Sequence, residues 1–276
     1  MNKQQRDPFL MGEDESYAEA QRRIKECREK GLKKLDFCCL HLTKIPPEIA
    51  ELETLVELDI RDIEMKKIPA FIGNIASLKK LSLGSDYSGK YEDENITITL
   101  PPQLGKLRNL QNLSLGYGIS GIPKWVFGLE NLEALSIFND TAETIPADIA
   151  GMKKLRKLRV FGNNITSLPP EIGEQLDLTV LDINCPELQV LPETFANLKK
   201  MICIRLGDSN NLFSVPGFIC GWTELEELEI NMAFHGPYTT SETIPKDIGN
   251  LKKLKHLNLH GAGIVKIPDS LGDCPL

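Results

Sequence analysis

An aliphatic residue followed at once by proline recurs ten times, at Ile45-Pro46, Ile68-Pro69, Leu100-Pro101, Ile122-Pro123, Ile145-Pro146, Leu168-Pro169, Leu191-Pro192, Val215-Pro216, Ile244-Pro245 and Ile267-Pro268. The steps between successive prolines are 23, 32, 22, 23, 23, 23, 24, 29 and 23. Proline fixes φ and lacks a backbone donor, so no long helix or strand can run through these points. A repeat this short and this regular means stacked units. Each unit opens on L-x-x-L-x-L, as in Leu55-Leu58-Ile60, Leu78-Leu81-Leu83, Leu132-Leu135-Ile137, Leu178-Leu181-Ile183 and Leu225-Leu228-Ile230. The last two apolar positions alternate as a short strand requires. In "LRKLRVFGNNITSLPPEIG" (155–173), Leu158 and Val160 point inward, Lys157, Arg159 and Phe161 point outward, and Ile165 and Leu168 return to the core. One unit cannot bury its own apolar side, whereas a stack makes a continuous core. The expected fold is an α/β solenoid of about ten coils, each with one short strand and a return of extended chain or short helical turn.

These motifs resemble the leucine-rich repeat family across residues 32–276, in the short 23-residue form with an "IPxxIgxL" back half. They are similar to the repeat region of Roco proteins and to Ras-pathway scaffolds and bacterial proteins built from such repeats. The resemblance implies a curved horseshoe with a parallel concave β-sheet that binds a partner. The family places Asn after each strand; here Asn163 fits, while Leu40, Ile63, Asp86, Gly118, Asp140 and Pro186 stand at the matching points. The coil backbone must then find other partners, and less regular stacking is expected. No G-x-x-x-x-G-K-[ST] motif occurs in the sequence, so the Roco GTPase domain is not expected.

Residues 16–31 read as an N-terminal capping helix over the first coil, with Ser16 and Glu19 as a capping box, Gly31 as the stop, and Tyr17, Ala20, Ile24 and Cys27 as the apolar stripe. Residues 1–15 are expected to be disordered. The tenth coil ends in "IPDSLGDCPL" without a cap, so either the sequence is cut short there, or Leu271 and Leu276 fold over that end, or that end pairs with another molecule, as in a homodimer. Two long coils carry rim insertions near 86–96 and 233–243, with Tyr87, Tyr91, His235 and Tyr238 as candidate contacts. Insertions on one face of an array often lie on its binding side.

The formal net charge of −7 argues against a nucleic-acid partner. No window approaches a membrane-spanning run, and the N-terminus lacks a secretory signal pattern. Seven cysteines without a C-x-x-C pair read as reduced thiols in a cytoplasmic protein, and adjacent Cys38-Cys39 is not a usual disulfide or zinc spacing. His256 and His260 fall on a strand without further evident ligands, and no cysteine has a His or Asp constellation. No catalytic residue, metal or cofactor is expected.

The outward strand positions supply the candidate site. Phe138 and Phe161 occupy the same slot in adjacent coils, with Tyr117 one position on in the preceding coil and Arg159 and Arg205 close by. Aromatics and arginine at the middle of a face have hot-spot composition. Cys38, Asp62, Ser85, Asn139 and Cys203 are also placed outward, and Gly84, Gly116 and Gly207 are expected to leave flat space for a partner. The expected function is non-catalytic protein binding on the concave face, as a scaffold. The alternatives are an exported effector or severed recognition module of an effector ligase, since export by a signal-less route fits the same sequence, and a structural repeat protein that self-associates.

Overall fold

The computed structural model describes residues 11–85, 97–139, 141–207, 215–231, 244–260 and 266–275. The chain forms two compact units, Met1–Leu132 and Glu133–Leu276. In the first, helix α1 (Glu13–Lys30) precedes strands β1 (Lys34–Asp36), β2 (Glu57–Arg61), β3 (Lys80–Gly84) and β4 (Asn112–Leu115), paired parallel in chain order. The second holds β5 (Ala134–Phe138), β6 (Lys157–Phe161), β7 (Val180–Asn184), β8 (Cys203–Gly207), β9 (Glu227–Asn231) and β10 (His256–Asn258), again parallel and in order. Each unit is a stack of repeated coils, one parallel strand to a coil.

The register is set by the apolar positions. Leu135, Leu158, Leu181, Ile204, Leu228 and Leu257 align across β5–β10, and all but Leu257 are buried. A one-residue slip would turn this column to solvent. Behind the strands, proline sets each return. Pro46, Pro69, Pro101, Pro123, Pro146, Pro169, Pro192, Pro216 and Pro268 hold φ between −57° and −75°. Each leads into a five-residue 3-10 turn. In the coil of Pro169 the turn Pro170–Glu174 buries Ile172, whose N–H donates to Pro169 O at 3.2 Å. The back half is therefore 3-10 throughout these coils, the tight geometry that a single turn between prolines allows.

The coils solve the missing Asn ladder at another position. Ser77 Oγ donates to Leu55 O, Asn109 Nδ2 to Ala76 O and Asn131 Nδ2 to Arg108 O, at 2.7, 2.9 and 2.8 Å. All three stand just before the first leucine of a unit and reach the preceding coil. Asn139 turns inward rather than outward: its Oδ1 accepts from Thr141 N at 2.9 Å and from Ala142 N at 2.7 Å.

α1 begins at Glu13, with Gly12 at the N-cap and no side-chain cap, so Ser16 and Glu19 are not a capping box. Ser16 lies buried inside the second turn, and its Oγ accepts from His41 N–H at 3.2 Å. The buried face is Ser16, Ala20, Ile24 and Cys27, with Tyr17 half-buried beside it and Lys44 Nζ 4.8 Å above its ring. Gly31 closes the helix at φ 61°, in the left-handed conformation glycine adopts at low cost. All seven cysteines are free thiols. No described helix is long and apolar enough to cross a membrane.

Candidate functional site

Three columns of side chains cross the strand face of the second unit, because residues two apart along a strand share a face. The first runs Ala134, Lys157, Val180, Cys203, Glu227, His256; the second Ser136, Arg159, Asp182, Arg205, Glu229, Asn258; the third Phe138, Phe161, Asn184, Gly207, Asn231.

Phe138 and Phe161 are directly opposite in the β5–β6 register, and their rings stack with centroids 4.8 Å apart and planes 25° from parallel. Both are half-buried. The strand spacing of about 4.8 Å accounts for the distance, since equal side chains in one register must lie one strand apart.

The neighbouring column is a chain of opposite charges. Arg159 Nε lies 3.4 Å from Asp182 Oδ2. Arg205 donates to Glu227 Oε1 at 2.8 Å through Nε, and its Nε lies 3.4 Å from Glu229 Oε2. Glu229 in turn accepts from Asn231 Nδ2 at 2.7 Å. Burial pushes the Asp182 carboxyl above its ordinary range, against the pull of Arg159 and Arg205, and Glu229 and Glu227 add to the upward push. Sequence reasoning named the arginines and left Asp182, Glu227 and Glu229 outside the candidate set. The 23-residue spacing of the outward positions was the available signal. Arg205 is thus engaged by two carboxylates, while Arg159, half-exposed on a longer ion pair, has the freer guanidinium.

Tyr117 belongs to the first unit. It is half-buried, and its backbone forms an antiparallel bridge with Ser85, at 2.8 and 3.0 Å. Tyr87, Tyr91, His235, Tyr238 and Leu276 lie outside the described residues, and Leu271 is half-buried. His256 and His260 are both exposed.

Several outward assignments change. Cys203 is only 7% exposed, and burial raises its thiol to about 11. Asp62 and Ser85 are buried and bonded to each other, Ser85 Oγ donating to Asp62 Oδ1 at 2.5 Å. Gly84 and Gly116 serve the stack itself. Gly84 has φ 84°, and a Cβ there would meet Gly116 C and O at 2.6 Å. Gly207 differs, since a Cβ there would meet only the Asn184 side chain, at 3.2 Å.

Residues 153–260 match the family model described as a leucine-rich repeat region. The volume-regulated anion channel subunit LRRC8A of Rattus norvegicus is 26% identical over 223 residues, which span 80% of this chain and 24% of that subunit. A leucine-rich repeat protein of Leptospira interrogans superposes with a TM-score of 0.63 at 22% identity, covering 93% of this chain and 66% of its own. The leucine-rich repeat domain of the type III effector XopL superposes with a TM-score of 0.56 at 19% identity, covering 99% of this chain and 83% of its own. With the strand, turn and 3-10 return repeated through both units, the chain has the leucine-rich repeat fold, and residues 153–260 carry that family's sequence pattern.

Proposed function

We propose that this protein is a non-catalytic, cytoplasmic recognition module that binds a protein partner on the strand face of its second unit. The observation that carries this reading is the Phe138–Phe161 stack, two half-buried rings presented together on the outward side of β5 and β6. Paired aromatics bury large area at small entropic cost, and such residues dominate interface energetics when water is excluded around them. The adjacent Arg159–Asp182 and Arg205–Glu227 pairs supply both signs of charge, which favours a partner with a mixed, complementary surface over a polyanion. The insertion near 233–243, in the same unit, is assigned an auxiliary contact in this reading. The likeness to the XopL domain, at 19% identity, supports the fold and leaves the effector reading without an observation of its own.

The test is the double substitution Phe138→Ser with Phe161→Ser. Both side chains are half-buried on the outward face, so folding should be kept, as judged by circular dichroism. Partner capture from the source organism's lysate should fall at least about tenfold, the equivalent of ~1.4 kcal/mol. Equal capture of the same proteins by parent and variant would reject this face.

A further inference from the structure

One slot beyond the strand face is held in the first three coils by Cys39, Asp62 and Ser85, at intervals of 23 residues: Asp62 and Ser85 directly follow β2 and β3, and Cys39 lies three residues past β1. Cys39 (φ 65°) and Asp62 (φ 57°) are the non-glycine residues of the described chain with positive φ. Aspartate tolerates the left-handed region because its short polar side chain bonds locally, whereas cysteine has no such compensation. Backbone strain of this kind concentrates where a side chain has work to do.

The left-handed turn has a definite consequence. In a continuing strand Cys38 and Cys39 would project to opposite faces. Here their Sγ atoms lie 3.1 Å apart. One coil on, Asp62 Oδ2 lies 3.9 Å from Cys38 Sγ, while Asp62 Oδ1 is held by Ser85 Oγ–H. One carboxylate oxygen is thus fixed and the other faces the thiols. The three ligand atoms lie within 4.8 Å of one another, and among the described residues no other His, Cys, Asp or Glu trio is so placed. Asp36 Oδ1 accepts from Cys38 N–H at 2.9 Å and steadies the loop from below.

We propose that Cys38, Cys39 and Asp62 form a site for one borderline-soft divalent cation, with zinc as the ion it fits. Two thiolates and a carboxylate are a zinc donor set; with Zn–S bonds of about 2.3 Å at a tetrahedral ion the two sulfurs, 3.1 Å apart, open to about 3.8 Å, a shift that rotation about the two side chains supplies. Both thiols are half-exposed, so the ion has a way in, and a fourth position is left for water. Ser85 is the outer partner that orients the carboxylate. On binding, two S–H protons pass to solvent as two Zn–S bonds form, and no electron is transferred. A redox pair is the competing use of adjacent thiols, but it would leave no part for the Asp62 carboxylate, whose Oδ2 lies 3.9 Å from Cys38 Sγ while Ser85 holds its Oδ1. The spacing of the two cysteines hides the site in the sequence; it exists because the backbone turns left at Cys39.

The test uses the full chain, reduced and stripped of metal, titrated with Zn²⁺ against a chromophoric chelator and separately with Co²⁺. The parent should take up one Zn²⁺ per chain, more tightly as pH rises, and show a thiolate-to-cobalt charge-transfer band. Cys39→Gly removes a ligand and suits the left-handed backbone, so it should melt no lower than the metal-free parent and bind Zn²⁺ at least about tenfold more weakly. Asp62→Asn keeps a residue tolerant of positive φ and should weaken Zn²⁺ about tenfold while retaining the band. Zinc uptake by the parent no tighter than by Cys39→Gly, or a cobalt spectrum without the thiolate band, overturns the proposal.

Discussion

Glycine shows how one residue type serves two purposes in a repeat. In sequence, Gly84, Gly116 and Gly207 stand in equivalent slots and read alike, because an absent side chain leaves no sign of which neighbour needs the room. The structure separates them. A Cβ on Gly116 would collide with Ser85 O, stand 2.5 Å from Ser85 N and lie 2.9 Å from Leu83 O. These are backbone atoms fixed by the Ser85–Tyr117 bridge, so they cannot give way. At Gly207 the nearest atom is the end of the Asn184 side chain, at 3.2 Å, which can rotate aside. Gly116→Ala should therefore cost about 1–3 kcal/mol, in the range of an overpacked core. Gly207→Ala should stay within about 0.5 kcal/mol of the parent, as a surface change does. Urea midpoints of the two variants measure the contrast, and equal losses would reject it.

At the scale of the element, α1 shows what its sequence pattern carried and what it did not. The periodic Ala20, Ile24 and Cys27 marked the buried face, and Gly31 marked the stop. The start was misread because Ser16-x-x-Glu19 has the letters of a capping box. The His41 N–H needs a partner, takes the Ser16 hydroxyl, and leaves Glu19 free to bind arginines. Glu19 accepts from Arg22 at 2.7 Å and from Arg23 at 2.8 Å, and Arg23 also donates to Asp36 O in β1. The Arg22 hydrogen bond, helped by Arg23 and opposed by burial, lowers the Glu19 carboxyl from 4.5 to about 2. A carboxyl depressed on folding contributes stability that is fully present above its unfolded value and is lost as pH falls from about 4.5 towards 2. Since Arg22 is more than half exposed, solvent screening keeps the effect to the order of 1 kcal/mol. Glu19→Gln should lower the urea midpoint at pH 7, and the gap from the parent should narrow steadily below pH ~4.5. A gap as wide at the acid end as at neutral pH would refute the pairing.

For the whole molecule, the repeat period made the stacked fold legible, because proline and L-x-L spacing dictate where each coil turns and which side it buries. The Phe138–Phe161 stack was legible for the same reason, being two equal residues in one slot. The charge partners of Arg159 and Arg205 were less so, since which acid an arginine selects depends on rotamers across strands. Cys39 beside Cys38 was illegible, because its left-handed backbone leaves no mark on spacing. The same one-dimensional logic governs stability: each coil is held mainly by the coils next to it, so damage should remain local. Leu181 is fully buried on β7, in register with Leu158 on β6 and Ile204 on β8. Leu181→Ala should cost about 2–5 kcal/mol as a core truncation. Amide hydrogen exchange should then speed up in β6, β7 and β8, while α1 and β1 keep the parent's protection. A protein that unfolds as a single cooperative unit would instead lose protection equally everywhere, so uniform acceleration reaching α1 would reject nearest-neighbour coupling and require long-range cooperativity along the stack.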